Sequence, residues 1–334
     1  MDTRLQINDL KLSPSLTLRP ARWTDLEAVA GLILEVCTHD GDPAVALSPQ
    51  DLAHEWKNEG FTLETDAWVV EAGGSIVGYE EFFNNHAHAS LRGDGYVHPD
   101  FMGQGIGTAM LRILDERAHR EMESAAPELR VFIRNGMSIG DSVAREMHEN
   151  EGYRSIRFFW RMEIEFNDPP PAPPWPEGVF PRPFDLEQHN RQVFEAHEEA
   201  FSDHWGHTPG AFSDWQQRMT GREDFDPSLW FIAWDGDQVA GYSLCRFSNG
   251  IGHVGTLGVR RAWRKRGLGR ALLLHSFNEF YRRGMHIVDL GVDASNPTGA
   301  TALYQKAGMQ IASEFVIYEK EIRPGREPGE PSKD

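Results

Sequence analysis

The chain contains two copies of one sequence pattern, and this internal duplication restricts its fold more than any other feature. Trp68 in "WVVEAGGSIVGY" corresponds to Trp230 in "WFIAWDGDQVAGY", and Val97 corresponds to Val259 at the same separation. Each half predicts the order strand, helix, hairpin, strand, glycine-containing turn, helix, strand, helix, strand. We therefore expect a mixed α/β (α+β) protein with two similar domains, each a mostly antiparallel sheet flanked by helices.

A proline-rich stretch separates the two copies. The segment "NDPPPAPPWPEG", residues 167–178, cannot continue a helix or a central strand and favours an extended spacer. The predicted domains are therefore residues 1–166 and 179–334, joined by the linker 167–178.

Composition limits the classes of partner. Asp and Glu number 51 against 33 Lys and Arg, a net charge of −18, which argues against nucleic acid as a partner. No apolar run reaches the roughly 20 residues that span a bilayer, and the opening "MDTRLQINDLKLSPS" lacks an apolar signal region. We expect a cytoplasmic protein without a membrane partner, with Cys37 and Cys245 in its core.

A cationic glycine turn in the second half predicts an anion site. It follows the strand-like "GIGHVGTLGV", in which period-two alternation places His253, Leu257 and Val259 on one face. Glycines allow the backbone N–H groups to approach a ligand, and the helix that follows adds positive potential, an arrangement suited to pyrophosphate. The turn consists of Arg264, Lys265, Arg266, Gly267, Leu268, Gly269 and Arg270.

Other interpretations of this turn remain open at this stage. A lone G-x-G is often only a solvated turn with basic side chains. A dinucleotide-binding fold would require a third glycine, and a Walker-type NTP site would require Lys-Ser or Lys-Thr after the last glycine; "GLGRALL" has neither.

The turn and a second motif together resemble the GCN5-related N-acetyltransferase (GNAT) family. The sequence "RKRGLG" is similar to the family's acetyl-CoA motif, and "VDLGVDASNPTGATALYQKAGM" is similar to its fifth strand and following helix. Asn296 and Tyr304 occupy motif positions there, although Asn296 is one residue farther from Leu303 than usual. Both halves show the resemblance, so a tandem GNAT protein is implied; its plan and "AFSDHWGH" most resemble the mycothiol synthase group.

The resemblance implies an N-acetyltransferase that uses acetyl-CoA as co-substrate and a primary amine of a small molecule as acceptor. Backbone N–H groups near Leu257, Gly258 and Val259 would polarise the acetyl carbonyl, and Tyr304 would protonate the thiolate. Tyr304 could instead be a core residue on an apolar helix face. The fourth strand lacks the carboxylate that often serves as base in this family, so His253 is the candidate base, and a structural histidine is the alternative.

The stretch "AFSDHWGH" falls where this family forms a wall of the acceptor pocket. Asp203, His204 and Trp205 are the candidate acceptor residues; Asp203 could hold a cationic amine or cap a local turn. Asp203, His204 and His207 have a spacing compatible with a metal, but no further ligand lies nearby in the sequence, so no metal is expected.

The first half departs from the family pattern. Met102 stands where Arg or Gln is expected, and His148 occupies the tyrosine position. We expect a degenerate, mainly structural domain that could still bind CoA through its backbone. The residues of this possible second CoA site are Val97, Gly103, Gln104, Gly105, Gly107 and Thr108.

A different class of function stays open beside the enzyme. The protein could be an acyl-CoA-binding sensor or scaffold without turnover, although the presence of both the turn and Tyr304 argues against this. The sequence does not identify the acceptor or the acyl chain, and a monomer is plausible because a tandem chain can reproduce a two-domain arrangement internally.

Overall fold

The computed structural model describes residues 12–207, 209–222, 225–248, 250–296 and 299–329. The predicted absence of a signal region concerns a segment that lies largely outside these residues. The chain divides into two compact units. The N unit contains the described residues up to Phe158 and from Glu314 onward, and the C unit is Phe159–Ser313. Within the described ranges, no helix is both long and apolar enough to cross a bilayer.

The strands follow the same order in the two halves of the chain, as the duplication predicts, but between the first two strands the first half has three α-helices and the described residues of the second half have two, where one was predicted in each. The strands are β1 (Leu16–Pro20), β2 (Ala67–Ala72), β3 (Ser75–His86), β4 (Ser90–Val97), β5 (Val131–Ser138), β6 (Arg154–Glu165), β7 (Val179–Arg182), β8 (Trp230–Asp235), β9 (Gln238–Ser248), β10 (Ile251–Val259), β11 (Ile287–Asp293) and β12 (Gln310–Arg323). The helices are α1 (Leu26–His39), α2 (Pro49–Trp56), α3 (Leu63–Asp66), α4 (Ile106–Met122), α5 (Ser142–Asn150), α6 (Leu186–Phe201), α7 (Phe212–Thr220), α8 (Leu268–Arg282) and α9 (Ala300–Lys306).

Each unit contains a mostly antiparallel sheet, which confirms the predicted fold class. In the N unit the strand order is β1-β2-β3-β4-β5-β12, and in the C unit it is β6-β11-β10-β9-β8-β7. The parallel neighbours are β4 with β5 and β10 with β11. The described neighbours around them pair antiparallel.

The two units do not coincide with the predicted domains. Residues 159–165 of β6 pair with β11 and belong to the C unit, although they precede the proline-rich segment. Residues 315–323 of β12 pair with β5 and belong to the N unit. The last strand of the first half, β6, completes the C-unit sheet, and the last strand of the second half, β12, completes the N-unit sheet. The physical reason is that the unpaired edge of a sheet accepts a further strand, whatever the position of that strand in the sequence.

The proline-rich segment packs against the C unit and does not form a free spacer. Pro170 is buried, and the Asn278 side-chain amide on α8 donates a hydrogen bond to the Pro171 carbonyl at 2.9 Å. The ring of Trp175 lies 5.5 Å from that of His275. Residues 170–175 therefore extend the apolar contacts of α8.

Apolar layers cover both faces of the C-unit sheet. On one face, α8 contributes Leu272, Phe277 and Phe280, all fully buried. Gly252 allows α8 to approach closely, because a Cβ there would lie 2.6 Å from the Phe280 ring. On the other face, α6 and α7 pack with Tyr242 of β9 in a second cluster. Both cysteines are buried, as predicted.

Candidate active site

A cleft opens in the C unit where two parallel strands separate. Strands β10 and β11 pair only at Gly252 with Val288 and at His253 with Asp289. Beyond this point a cavity of about 720 Å³ follows β10 toward the start of α8. Its walls come from β10, the turn 264–270, the end of β11, α9 and the segment after α6.

A bulge in β10 determines which groups face this cleft. The register of β10 on β9 shifts by one residue between Val254 and Thr256. Leu257 and Val259 consequently pack with Val254 on the α8 face, whereas a Cβ on Gly258 would meet Tyr242 on the opposite face. The prediction that His253 shares a face with Leu257 and Val259 was wrong, because alternation cannot anticipate an inserted residue.

Two of the three predicted backbone donors point away from β9. The Arg260 N–H donates to the Ala240 carbonyl at 3.1 Å, so antiparallel alternation directs the Gly258 N–H toward β9 as well. The N–H groups of Leu257 and Val259 then point to the side of β10 where β11 has separated. They could donate to an oxygen atom in the cleft.

The turn from Arg264 to Arg270, for which the sequence predicts anion binding and which is hereafter called the phosphate turn, lies along the cleft at the start of α8. Gly267 is the N-cap of α8 with φ 84°, a left-handed conformation that favours glycine, and Lys265 has φ 61°. Six of the seven predicted residues line the cleft, all except Arg266. The first N–H groups of α8 have no partner within the helix, so they can bind an anion there.

The side chain of Arg264 is partly exposed and contacts several protein groups. Its guanidinium donates to the Val259 carbonyl at 3.2 Å and to the Ala200 carbonyl at the end of α6 at 3.0 Å. Asp203, predicted as a residue that holds the acceptor amine, forms an ion pair with Arg261 at 2.7 Å and lies 3.5 Å from Arg264. Its charge is therefore already compensated by two arginines.

Tyr304 and Asn296, two of the predicted site residues, also line the cleft. The ring of Tyr304 packs in the α8 core cluster and the residue is 7% exposed. Burial raises the pKa of Tyr304 to about 12, so its hydroxyl stays protonated at neutral pH. It can donate a hydrogen bond to a group in the cleft.

His253, the predicted base, is not among the residues that line the cleft; it sits at the last paired position of β10 and β11, beside a carboxylate. Its Nδ1 is 2.6 Å from Asp289 Oδ1, and Asp289 Oδ2 is 3.1 Å from Arg161. Burial acts to raise the pKa of Asp289, but the bonds to His253 and Arg161 outweigh it and lower the pKa. Asp289 stays ionised, which directs the His253 Nδ1 proton toward it and leaves Nε2 as an acceptor.

Aromatic side chains line the part of the cleft for which the sequence predicts an acceptor wall. His204 and Trp205 line the cleft; Trp205 lies 6.2 Å from Phe159, and His204 lies 4.3 Å from Phe201, between ring centroids. Burial lowers the pKa of His204. Among the described residues, no group of three or more His, Cys, Asp or Glu side chains has the arrangement of a metal site.

Comparisons with known proteins identify the family. The family described as "Acetyltransferase (GNAT) family" matches residues 190–309, and that described as "Acetyltransferase (GNAT) domain" matches residues 64–155. A mycothiol acetyltransferase of Nocardiopsis dassonvillei is 30% identical over 73% of this chain and 78% of its own length. The chain belongs to the GNAT acetyltransferase family.

Further relatives agree with a tandem GNAT acetyltransferase. A mycothiol acetyltransferase of Catenulispora acidiphila is 28% identical over 82% of this chain and 90% of its own length. The crystal structure of a GCN5-related N-acetyltransferase from Sphaerobacter thermophilus has a TM-score of 0.83 and 37% identity, covering 96% of this chain and 99% of that one. The fold is shared with a tandem GNAT protein from the clavulanic acid biosynthesis pathway. That protein is 17% identical, with a TM-score of 0.69, and the match covers 93% of this chain and 99% of that one.

The N-unit GNAT domain has similar glycine geometry in its turn. Gly105 is the N-cap of α4 with φ 82°, and Gly103 has φ 74°. Gly107 lies in the first turn of α4, where a Cβ would be 2.8 Å from Met147 Sδ. Of the other predicted residues, Val97 ends β4, Gln104 precedes the N-cap, and Thr108 lies in α4.

The residue in the tyrosine position of the N unit has no free proton to give. His148 is 6% exposed; its Nδ1 is 2.8 Å from the Ala144 carbonyl, and its Nε2 is 3.2 Å from the Asn135 side-chain nitrogen. The carbonyl requires the proton on Nδ1, so Nε2 accepts from Asn135. Burial lowers the pKa of His148, which keeps the ring neutral.

The N unit also differs at the position of His253. His253 pairs with Arg246, four residues after Tyr242; the matching position, four residues after Tyr79, pairs with Arg92. The register of β4 on β3 continues without a shift from Leu91 to Val97, so β4 lacks the bulge of β10. A guanidinium cannot accept a proton from an amine.

The sequence did not reveal the groups that support the candidate site residues. Arg161 behind His253 and Glu199 beside the turn lie in no motif, and Asp289 lies inside "VDLGVDASNPTGATALYQKAGM" but was given no role there. The one available signal for Asp289 was its position on β11. In the C unit β11 pairs in parallel with β10, which brings Asp289 beside His253.

Proposed function

We propose that the C unit transfers the acetyl group of acetyl-CoA to a primary amine of a small molecule by direct attack in a ternary complex. The observation that supports this most strongly is the single cleft that contains the phosphate turn at one end and Tyr304 opposite the β10 backbone. A pyrophosphate at the turn would direct the pantetheine chain along the gap between β10 and β11.

The phosphate turn binds the pyrophosphate through N–H groups at the start of α8 and through nearby cations. A protein of net charge −18 repels a polyanion over most of its surface, so binding must be local. Lys265 and Arg270 line the cleft and are exposed, which leaves their charges available to phosphate. Asn296 stands near the acyl end, its backbone bonded to the Asp293 carbonyl at 3.0 Å.

The N–H groups of Leu257 and Val259 polarise the thioester carbonyl. Negative charge develops on this oxygen as the amine attacks, and fixed dipoles in a partly enclosed cleft stabilise that charge without reorganisation. The bulge in β10 determines the direction of these N–H groups, so it is part of the catalytic geometry.

His253 accepts the amine proton on Nε2, directly or through one water molecule. The Asp289 carboxylate orients the ring and stabilises the imidazolium that forms. Tyr304 donates a hydrogen bond to the departing thiolate. The pKa of Tyr304, about 12, exceeds that of an ordinary thiol, about 8.5. The phenol therefore stabilises the thiolate through a hydrogen bond and does not transfer its proton completely.

The acceptor is a small molecule that packs against the aromatic wall of His204, Trp205 and Phe159. Relatives that share most of the chain's length are named for acetylation of mycothiol, a small molecule. The N unit serves a structural role without turnover, because Arg92 and His148 replace the base and the acid.

Release of free CoA thiol across an amine library tests the proposal, with the acetylated product identified by mass spectrometry. We expect turnover with at least one class of small amine. Binding of acetyl-CoA without turnover on any amine would refute the enzyme and favour the acyl-CoA-binding scaffold.

A further inference from the structure

An anionic side chain lies inside the site that is expected to bind an anion. Asp203 lines the same cleft as the phosphate turn, and its carboxylate pairs with Arg261 at 2.7 Å and faces Arg264 at 3.5 Å. We propose that Asp203 holds these arginines when acetyl-CoA is absent and that the pyrophosphate of acetyl-CoA replaces it. This inference rests on the proposed function of the C unit.

The ion pairs of Asp203 with Arg261 and Arg264 are exposed enough for another anion to replace the carboxylate. Its side chain is 47% exposed and that of Arg261 is 56% exposed, so water screens the pair and competes with it. Arg261 also donates to Ser202 Oγ at 2.9 Å, so its side chain stays near the end of α6. A pyrophosphate carries more charge than one carboxylate and meets the N–H groups of α8 as well, so it wins the competition for the arginines.

A second set of contacts keeps the turn itself in place during this exchange. Glu199 accepts a hydrogen bond from Arg260 Nε at 2.7 Å and from the Arg261 backbone N–H at 3.0 Å. Arg264 donates to the Ala200 carbonyl at 3.0 Å. These bonds join the last turn of α6 to the residues around the phosphate turn without using Asp203.

The exchange links co-substrate binding to the acceptor wall. Asp203 directly precedes His204 and Trp205, which line the cleft. Once pyrophosphate holds the arginines, like charge repels Asp203, and the segment 202–206 loses its ion pair. The acceptor wall therefore changes its arrangement when acetyl-CoA binds.

Asp203→Asn tests the exchange, with Asp237→Asn as a control of equal charge. Asp237 is exposed in the turn between β8 and β9, so its replacement changes the net charge without touching the cleft. By calorimetry, Asp203→Asn should bind acetyl-CoA about two- to five-fold more tightly than Asp237→Asn, because an exposed competing ion pair is removed. With S-acetylpantetheine, which lacks the pyrophosphate, the two variants should not differ.

Hydrogen–deuterium exchange of residues 202–206 provides an independent measurement. In the wild type, acetyl-CoA should accelerate exchange in this segment, whereas S-acetylpantetheine should leave it unchanged; in Asp203→Asn exchange should be fast before any addition. Equal acetyl-CoA affinity of the two variants, or unchanged exchange in the wild type, overturns the inference. If one of these results is found while the wild type binds acetyl-CoA and turns over, only the inference fails. If the wild type does not bind acetyl-CoA, the proposed function fails as well.

Discussion

His253 Nδ1 lies 2.6 Å from Asp289 Oδ1, across the last paired position of β10 and β11. The two strands separate directly after this pair, and the β10 residues that line the cleft begin at the next position, Val254. Arg161 contacts the other carboxylate oxygen at 3.1 Å, which keeps Asp289 ionised. This arrangement fixes the orientation of the imidazole that we propose as the base, whereas Arg92 occupies the matching position in the N unit.

His253→Gln should lower kcat/KM for the amine by about 100-fold or more, because a positioned general base contributes at least that much. Asp289→Asn should lower it less, because the imidazole remains but the imidazolium that forms loses its counter-ion. Full pH profiles of both variants provide the measurement. A profile of His253→Gln that matches the wild type would remove this residue from the mechanism.

Tyr304→Phe should lower turnover by about 100-fold while the affinity for acetyl-CoA changes little, because only the hydroxyl toward the cleft is lost. Tyr281→Phe, a partly buried tyrosine on α8, is the matched control and should keep its rate. Steady-state kinetics with calorimetric binding separates the two effects. An equal loss in both variants would indicate a packing role for Tyr304.

Gly267→Ala and Gly105→Ala together test which unit carries the chemistry. Both glycines are helix N-caps with nearly equal φ, 84° and 82°, so alanine should cost each unit about 1–2 kcal/mol of backbone strain. We expect Gly267→Ala to lower kcat/KM for acetyl-CoA at least ten-fold and Gly105→Ala to leave it unchanged. Similar kinetic losses in both variants would assign a catalytic contribution to the N unit.

His197 should make the C unit sensitive to acid. Burial lowers its pKa to about 4, so between pH 6.5 and 4 the unfolded chain takes up a proton that the folded chain does not. The free energy of unfolding is therefore unaffected by His197 above pH 6.5 and falls by about 3 kcal/mol toward pH 4. His197→Gln retains a hydrogen-bond partner for the Tyr242 hydroxyl. In this variant the free energy of unfolding, measured with urea, should depend less on pH between 6.5 and 4. An unchanged pH dependence would contradict the prediction.

The features that the sequence predicted correctly are local or repeated. The duplication indicated two similar units with mostly antiparallel sheets, and the fold confirms it. The phosphate turn and Tyr304 were predicted because a left-handed glycine and a helical motif depend on residues close together in the chain. Their catalytic roles remain predictions.

Tertiary structure decided the features that depend on distant segments. The bulge between Val254 and Thr256 turned His253 away from Leu257, and sequence alternation contains no signal for such an insertion. The pairing of His253 with Asp289 joins residues 36 positions apart, and Asp203 meets Arg261 over 58. The assignment of residues 159–165 and 315–323 to their sheets also required the fold, because strand partners are chosen by exposed edges and not by neighbours in sequence.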